Sequence, residues 1–311
     1  MINQIKKINL GHSLIFFAII CIFILFSLKV ENLTLSPFIC LLLILSIGVS
    51  HGSLDLLKGK KLLKIYNINN VSVFYFIYIF FVLLIISLWI IFPASSLIIF
   101  LLVASFHFGK EDAQFLINSN SNFNKLFFLL KGLLIVAAPL YFHFNETIRI
   151  FKLLLVVNEN FYLALDFIES NRLLPILVII SIISAATLFL TNYEFKKFTI
   201  LFDCLSVLII NYFLSPLLAF TIYFCFLHSI RHIINLVFEL NENNFKEGFK
   251  IFLSKSMPLT ILTIVFYIIS LYLLNNYYEF DNAIFKVIFI GLASLTFPHI
   301  LLEYFLEKHE K

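Results

Sequence analysis

The sequence predicts an all-α, polytopic membrane helical bundle with about ten transmembrane helices. Hydrophobic residues make up 61% of the 311 positions, only 13% are charged, and the mean hydropathy is +1.02. A soluble domain of this length could not cover so much apolar surface, and long apolar stretches are typical of membrane proteins. The net charge is only +4, and the lysines are scattered over short loops, so nucleic-acid binding is not supported. We expect one integral membrane domain over residues 1–311.

Ten apolar segments are each long enough to cross a bilayer, which takes about 17–25 residues in a helix. They are 10–30, 37–57, 71–92, 97–116, 126–142, 174–190, 198–214, 217–238, 255–276 and 283–306. The longest polar stretch, 143–173, contains an amphipathic portion that we expect on the membrane surface.

Basic residues predict the orientation of the chain in the membrane. Lys6 and Lys7 precede the first segment, and four lysines follow the second in KGKKLLK, whereas the connection at 93–96 has none. Basic residues concentrate in cytoplasmic loops. We therefore expect a multi-pass protein of the cell inner membrane with both termini in the cytoplasm.

Apart from His12 at the start of the first span, five of the eight histidines lie inside the predicted spans: His51, His107, His228, His232 and His299. An ionisable residue at membrane depth is a functional-site candidate, because its burial in hydrocarbon is unfavourable unless it binds a partner. In the predicted topology, all four spans that carry these histidines run from outside to inside. Each histidine then falls at the middle or in the cytoplasmic half. Because neutral imidazole commonly ligates iron, copper and zinc, the pattern predicts a metal site in the bundle core.

A spacing of four residues recurs around these histidines. It separates His228 from His232, which places both on one helix face, as two ligands of one metal require. The same offset joins His51 to Asp55, His107 to Glu111 and His299 to Glu303. A carboxylate at that distance can accept the second ring N–H of a ligating histidine, and Asp112 competes with Glu111 for this role. Alternatively, these acids only mark the cytoplasmic ends of the helices.

Arg231 lies between the paired histidines, inside an apolar span. A guanidinium there must find an acidic partner or reach the interface. Asp55 and Asp112 are the candidate partners.

The motifs HGSLD at 51–55, SFHFGKED at 105–112, HSIRH at 228–232 and PH at 298–299 resemble the Brp/Blh family of membrane β-carotene 15,15′-dioxygenases. The resemblance covers nearly the whole chain in order, spacing and hydropathy. It implies an enzyme that uses Fe²⁺ and O₂ to split the central double bond of β-carotene into two retinal molecules. A retinal product also suggests a functional link to a retinal-binding rhodopsin.

The resemblance implies that His51, His107, His228 and His232 are the iron ligands. His299 matches a further family histidine, either a fifth ligand or a residue that supports the ligands. No catalytic side chain is expected beyond the metal ligands. The charged residues expected to surround and orient them are Asp55, Glu111, Asp112, Arg231 and Glu303.

Aromatic residues beside the motifs are candidates to line a tunnel for a polyene drawn from the bilayer. They are Phe106, Phe108, Tyr223, Phe224, Phe226 and Phe297. Ordinary packing between helices is the alternative explanation for each.

Two other functions fit an intramembrane histidine cluster. A membrane di-iron desaturase or hydroxylase uses about eight histidines in H-x-x-x-H and H-x-x-H-H boxes, and this chain has one such box. A metal-ion or proton transporter should spread polar residues over the full membrane depth. Here the histidines gather at one predicted level.

Overall fold

The computed structural model describes residues 2–27, 36–114, 122–191 and 198–309. These residues contain fifteen α-helices and no β-strand, which confirms the all-α prediction. In chain order they are α1 Ile2–Ser27, α2 Pro37–Leu43, α3 Asp55–Ile65, α4 Ser72–Ile91, α5 Pro93–Glu111, α6 Asn122–Gly132, α7 Leu134–Phe142, α8 Phe144–Leu153, α9 Glu159–Ser170, α10 Leu173–Thr191, α11 Thr199–Phe213, α12 Pro216–Ile222, α13 Ile230–Leu240, α14 Phe245–Leu274 and α15 Phe280–His309.

Eight helical segments of the described chain are long and apolar enough to cross a membrane. They are Lys7–Phe26, Ser72–Ile91, Pro93–Glu111, Phe123–Phe142, Leu173–Thr191, Pro216–Leu240, Phe245–Leu274 and Phe280–His309. Each corresponds to one of the ten predicted spans, so the polytopic helical bundle is confirmed.

The remaining two predicted spans differ from a straight membrane-spanning helix. The second is a bent pair, Pro37–Gly48 and Gly52–Ile65, so the predicted continuous span 37–57 is broken. The seventh is α11, whose 15 residues rise about 22 Å, short of the roughly 30 Å hydrocarbon core. Lys58, expected in a loop after the second span, therefore lies on α3.

The helices differ sharply in how much of their surface the protein covers. In an 18-residue apolar stretch of the span Pro216–Leu240, which carries His228 and His232, 72% of the residues are buried, whereas only 6% are buried in the corresponding stretch of Ser72–Ile91. The span Pro216–Leu240 is thus the central helix of the bundle, whereas α4 (Ser72–Ile91) is peripheral, with its apolar side chains facing outwards. The polar stretch after α7 forms α8 and α9, and α9 has no buried residue.

Two histidine-bearing segments depart from α-helical geometry. A π-helical turn at Ile44–Gly48 and a 3₁₀ turn at Val49–Leu54 join α2 to α3, and a second π-helical segment, Tyr223–Ser229, joins α12 to α13. π-helical turns are rare and frequently occur at functional sites. The two π segments pack together: a Cβ added to Gly48 would overlap the ring of Phe224.

A close crossing of α5 and α6 fixes the end of α5. A Cβ on Gly109 would overlap the carbonyl oxygen of Phe128, and a Cβ on Gly132 would overlap that of Ser105. Small residues permit such backbone approach between membrane helices. This crossing anchors the turn of α5 that carries His107 and Glu111.

Candidate metal centre

Four buried imidazole rings form a cluster in the bundle core. The ring centroid of His107 lies 5.2 Å from that of His228 and 5.6 Å from that of His299, and His299 lies 5.8 Å from His232. Two imidazoles on one ion, each bound at about 2.1 Å, place their centroids roughly 4.6–6.5 Å apart, depending on the bond angle. The observed spacings all fall in that range. The structure therefore brings three of the four predicted ligands together and adds His299.

Three of these histidines direct Nδ1 at a carboxylate. The distances are 2.7 Å from His299 Nδ1 to Asp55 Oδ1, 3.1 Å from His232 Nδ1 to Glu111 Oε2, and 3.4 Å from His228 Nδ1 to Asp112 Oδ1. An Nδ1–H donated to a carboxylate leaves Nε2 as the coordinating atom and fixes the ring orientation. The carboxylates are thus placed to orient ligands, as the sequence predicts for this set of acids.

The pairing of acids with histidines differs from the expected one-turn offset. Asp55 reaches His299 on α15, and Glu111 reaches His232 on α13. These rings point into the bundle, so their Nδ1 atoms meet carboxylates from neighbouring helices. Two acids also stay near the histidine one turn before them: Glu303 lies 3.6 Å from His299 Nε2, and Glu111 has a donor atom within 4.8 Å of one of His107.

Glu303 occupies a different position from the other acids. Its Oε1 lies 3.6 Å from His299 Nε2 and 3.8 Å from His232 Nε2, and it accepts a hydrogen bond from Lys58 Nζ at 2.6 Å. Two sets of donor atoms lie close enough together to hold a metal ion, each within 4.8 Å: His232, His299 and Glu303, and His107, Glu111 and Glu303. Glu303 belongs to both.

Arg231 pairs with Asp112, the second of its two predicted partners. Its guanidinium lies 3.4 Å from Asp112 Oδ1 and donates to the main-chain oxygen of the same residue at 3.1 Å. It also donates to Ser13 Oγ at 2.7 Å and lies 3.0 Å from Asp203 Oδ2. The arginine therefore ties α1, α11 and the end of α5 to the central helix, and Asp55 serves His299 instead.

Two tyrosines complete the outer hydrogen bonds of the cluster. The hydroxyl of Tyr78 donates to Asp55 Oδ2 at 2.9 Å, and that of Tyr223 donates to Asp112 Oδ2 at 2.7 Å. Tyr223 stays a predicted substrate contact, and its hydroxyl also holds the Asp112 carboxylate.

Four residues in the hydrogen-bond network of the cluster were not predicted from the sequence: Tyr78, Asp203, Ser13 and Lys58. Asp203 carried a usable signal, because it is an ionisable residue inside an apolar span. Tyr78 carried none, since it is one of several aromatic residues in α4 and belongs to no motif.

A family model described as Beta-carotene 15,15'-dioxygenase matches residues 42–307, a range that contains all five candidate histidines. The chain belongs to the beta-carotene 15,15′-dioxygenase family. A protein named beta-carotene 15,15′-dioxygenase, from the uncultured marine bacterium 66A03, is 29% identical over 280 residues. The similarity covers 87% of this chain and 94% of that protein. No solved structure matches the chain significantly.

The family membership expected from the motifs is thus confirmed. The side chain of His51, a predicted ligand, lies outside the described residues. Its backbone belongs to the 3₁₀ turn directly before Asp55, and a Cβ on the neighbouring Gly52 would lie 3.9 Å from His299 Nδ1.

A polar cavity of about 320 Å³ reaches the cluster from one side. Its lining includes His232, Glu111, Glu303, Lys58 and Glu307, and the last of these forms an ion pair with Lys110. Water and ions can approach the Glu303 side of the cluster through it.

An apolar cavity of about 90 Å³ lies on the Phe108 side of the cluster. Phe108 and Phe220 line it; Phe108 packs edge-on against His228, with centroids 4.6 Å apart. Phe224 stacks on both Phe220 and His228, at 5.4 Å and 5.9 Å. The three other aromatic candidates, Phe106, Phe226 and Phe297, are half-buried and do not line either of these two cavities.

Proposed function

We propose that this protein is an Fe²⁺-dependent dioxygenase that cleaves the central 15,15′ double bond of β-carotene with O₂ and forms two retinal molecules. The observation that carries the proposal is the buried histidine cluster, three of whose Nδ1 atoms are held by carboxylates, in a membrane bundle of this family. The names of the relative and of the family support the substrate and the bond that is cleaved.

The donor set fits iron. Imidazole nitrogen is a ligand that iron shares with zinc and copper. We propose His51, His107, His228 and His232 as the ligands, with His299 joining them, since its ring lies between those of His107 and His232. Bound iron supplies the redox chemistry that lets O₂ react with an alkene.

The side chains of the chain hold this site in place and keep it ordered. Asp55, Glu111 and Asp112 fix the imidazole orientations through Nδ1, so that Nε2 of each ring faces the ion. Burial of the four rings restricts water on all sides of the cluster except that of Glu303, where the polar cavity opens. The overall reaction balances without a reductant: one C=C bond and O₂ are consumed, and each of the two carbons receives one oxygen atom as an aldehyde.

The apolar cavity supports an approach of substrate from the lipid. Its apolar lining and its contact with His228 through Phe108 suit a hydrocarbon chain. Its volume of about 90 Å³ holds only a short part of a C40 polyene. We therefore infer that substrate widens this path between α5, α7, α12 and α15 when it binds.

Expression in a β-carotene-producing bacterium tests the proposal. We expect loss of the carotene and formation of retinal, detected by chromatography, and a block of both by oxygen exclusion or by an iron chelator. Cells that express His107→Ala should keep their carotene intact. Cells that express the control Phe226→Leu, which lies outside the cluster, should still cleave it. Intact carotene together with increased metal uptake or a desaturated lipid would favour the transporter or the di-iron enzyme.

The remaining predictions on cellular context belong to the same proposal. We propose an inner-membrane protein with both termini in the cytoplasm, which places the polar cavity on the cytoplasmic side. A retinal product further supports the predicted functional link to a rhodopsin.

A further inference from the structure

We propose that Glu303 is a direct ligand of the metal, not an acid that only supports the histidines. The proposal rests on the proposed function in one respect: it requires that the histidine cluster binds a metal ion. Neither the family motifs nor the spacing of the chain assigns this role to Glu303.

Glu303 approaches a different imidazole nitrogen from the other acids. Asp55, Glu111 and Asp112 all lie beside an Nδ1 atom, on the outer side of a ring. Glu303 Oε1 lies beside Nε2 of both His299 and His232, at 3.6 Å and 3.8 Å. Since Nε2 is the coordinating atom when Nδ1 donates to a carboxylate, Glu303 is on the metal side of these rings.

The distances from Glu303 Oε1 to the two Nε2 atoms also fit ligands of one ion. Two donor atoms bound to one ion at about 2.1 Å lie roughly 3.0 Å apart at a right angle and about 3.6 Å apart at 120°. The separations of Glu303 Oε1 from the two Nε2 atoms, 3.6 Å and 3.8 Å, are therefore those of neighbouring ligands. Glu303 is also the donor common to the two groups that could hold an ion, one with His107 and Glu111 and one with His232 and His299.

The net charge of the metal and its ligands also favours a carboxylate. Fe²⁺ held only by neutral imidazoles would leave two positive charges in a buried site, next to the ammonium of Lys58. A carboxylate ligand lowers that charge, and mixed histidine–carboxylate sets with open positions are typical of non-haem iron oxygenases that use O₂.

The alternative role of Glu303 is the ion pair with Lys58 alone. A carboxylate has two oxygens and about four acceptor positions, so pairing with Lys58 and binding a metal are compatible. The two roles make different demands on Lys58. If the ion pair is all that matters, removal of either partner has the same effect.

The test compares four variants of the full-length protein, purified in lipid nanodiscs and loaded with Fe²⁺ without oxygen. Iron per chain, iron affinity in chelator competition and the Mössbauer spectrum are measured. We expect Glu303→Gln to weaken iron binding by at least the roughly 10–100-fold typical of lost support to a ligand, and to change the spectrum. Glu303→Asp should retain part of the affinity, because it keeps a carboxylate.

Two controls separate the roles. Lys58→Met removes the ion pair but leaves the Glu303 carboxylate. Its iron affinity should therefore stay within a few-fold of that of the wild type, and its iron content and Mössbauer spectrum should not change. Glu307→Gln changes an acid one turn further along α15, which pairs with Lys110 and lines the same polar cavity. It should behave as the wild type.

The outcomes distinguish this proposal from the proposed function. A wild-type spectrum and affinity in Glu303→Gln would overturn the ligand role alone, as would an equal loss of iron in Lys58→Met. A wild-type protein that binds no iron at all would overturn the proposed iron site, and the ligand role with it.

Discussion

Two histidines of the cluster are each supported by an aspartate and a tyrosine, but in different surroundings. In the His299 support, defined as His299, Asp55 and Tyr78, the carboxylate lies 2.7 Å from the imidazole and 2.9 Å from the tyrosine hydroxyl. In the His228 support, defined as His228, Asp112 and Tyr223, the tyrosine is at 2.7 Å but the imidazole is at 3.4 Å. The carboxylate of the His228 support also lies 3.4 Å from the guanidinium of Arg231, and the His299 support has no such guanidinium among the described residues.

The difference indicates a division of work between the two carboxylates. Asp112 shares its charge among an imidazole, a tyrosine and a buried arginine that also binds Asp203 and Ser13. Asp55 accepts a short hydrogen bond from His299, and Lys58 lies next to Glu303 on the other side of that ring. We infer that the His228 support mainly joins helices and that the His299 support mainly tunes a metal ligand.

The largest effect is expected from breaking the arginine at the back of the His228 support. Arg231→Met leaves Asp112 and Asp203 as buried acids without their cation, which typically costs about 3–5 kcal/mol. Thermal unfolding in detergent, followed by helical circular dichroism, should show a marked loss of stability and a low yield. The double variant with Asp203→Asn should recover part of it. Wild-type unfolding in Arg231→Met would contradict the joining role.

The next effect separates the two carboxylates. Asp55→Asn removes the charge that accepts from His299, so iron affinity should fall about 10–100-fold while thermal unfolding stays near that of the wild type. Asp112→Asn should mainly lower stability. The comparison fails if Asp55→Asn unfolds as early as Asp112→Asn, or if iron affinity does not change.

The smallest effect comes from the two tyrosines. Tyr78→Phe and Tyr223→Phe each delete one hydrogen bond to a carboxylate that keeps its imidazole partner. We expect Tyr78→Phe to weaken iron binding by a few-fold and Tyr223→Phe to lower the unfolding temperature instead. Chelator competition and thermal unfolding on the same two samples measure both. Identical profiles for the two variants would remove the distinction between the supports.

The sequence was sufficient for the bundle and for the histidines and most of the charged residues that meet in its core. Apolar length alone locates the helices, because a spanning segment must be long and hydrophobic, and charged or imidazole groups inside such segments stand out. Arg231 and Asp112 were found in this way, as were the four described histidines.

The partner of each residue was not predictable in the same way. A four-residue offset identifies neighbours on one helix, but Asp55 and Glu111 serve histidines on other helices. Which ring nitrogen faces inwards depends on helix rotation, and the π-helical segment Tyr223–Ser229 changes that rotation just before His232. Tyr78 is invisible for the same reason, since only the fold brings α4 next to Asp55.

Retinal formation by the purified protein as a function of bound iron tests the central claim most directly. The protein in lipid nanodiscs is given Fe²⁺ in steps, and retinal formed from β-carotene in the presence of O₂ is measured at each step. We predict activity that rises in proportion to iron bound at the histidine cluster, two retinal molecules for each β-carotene consumed, and no activity in a His107→Ala, His228→Ala double variant. Retinal formed at the same rate without iron, or by the double variant, would contradict the account.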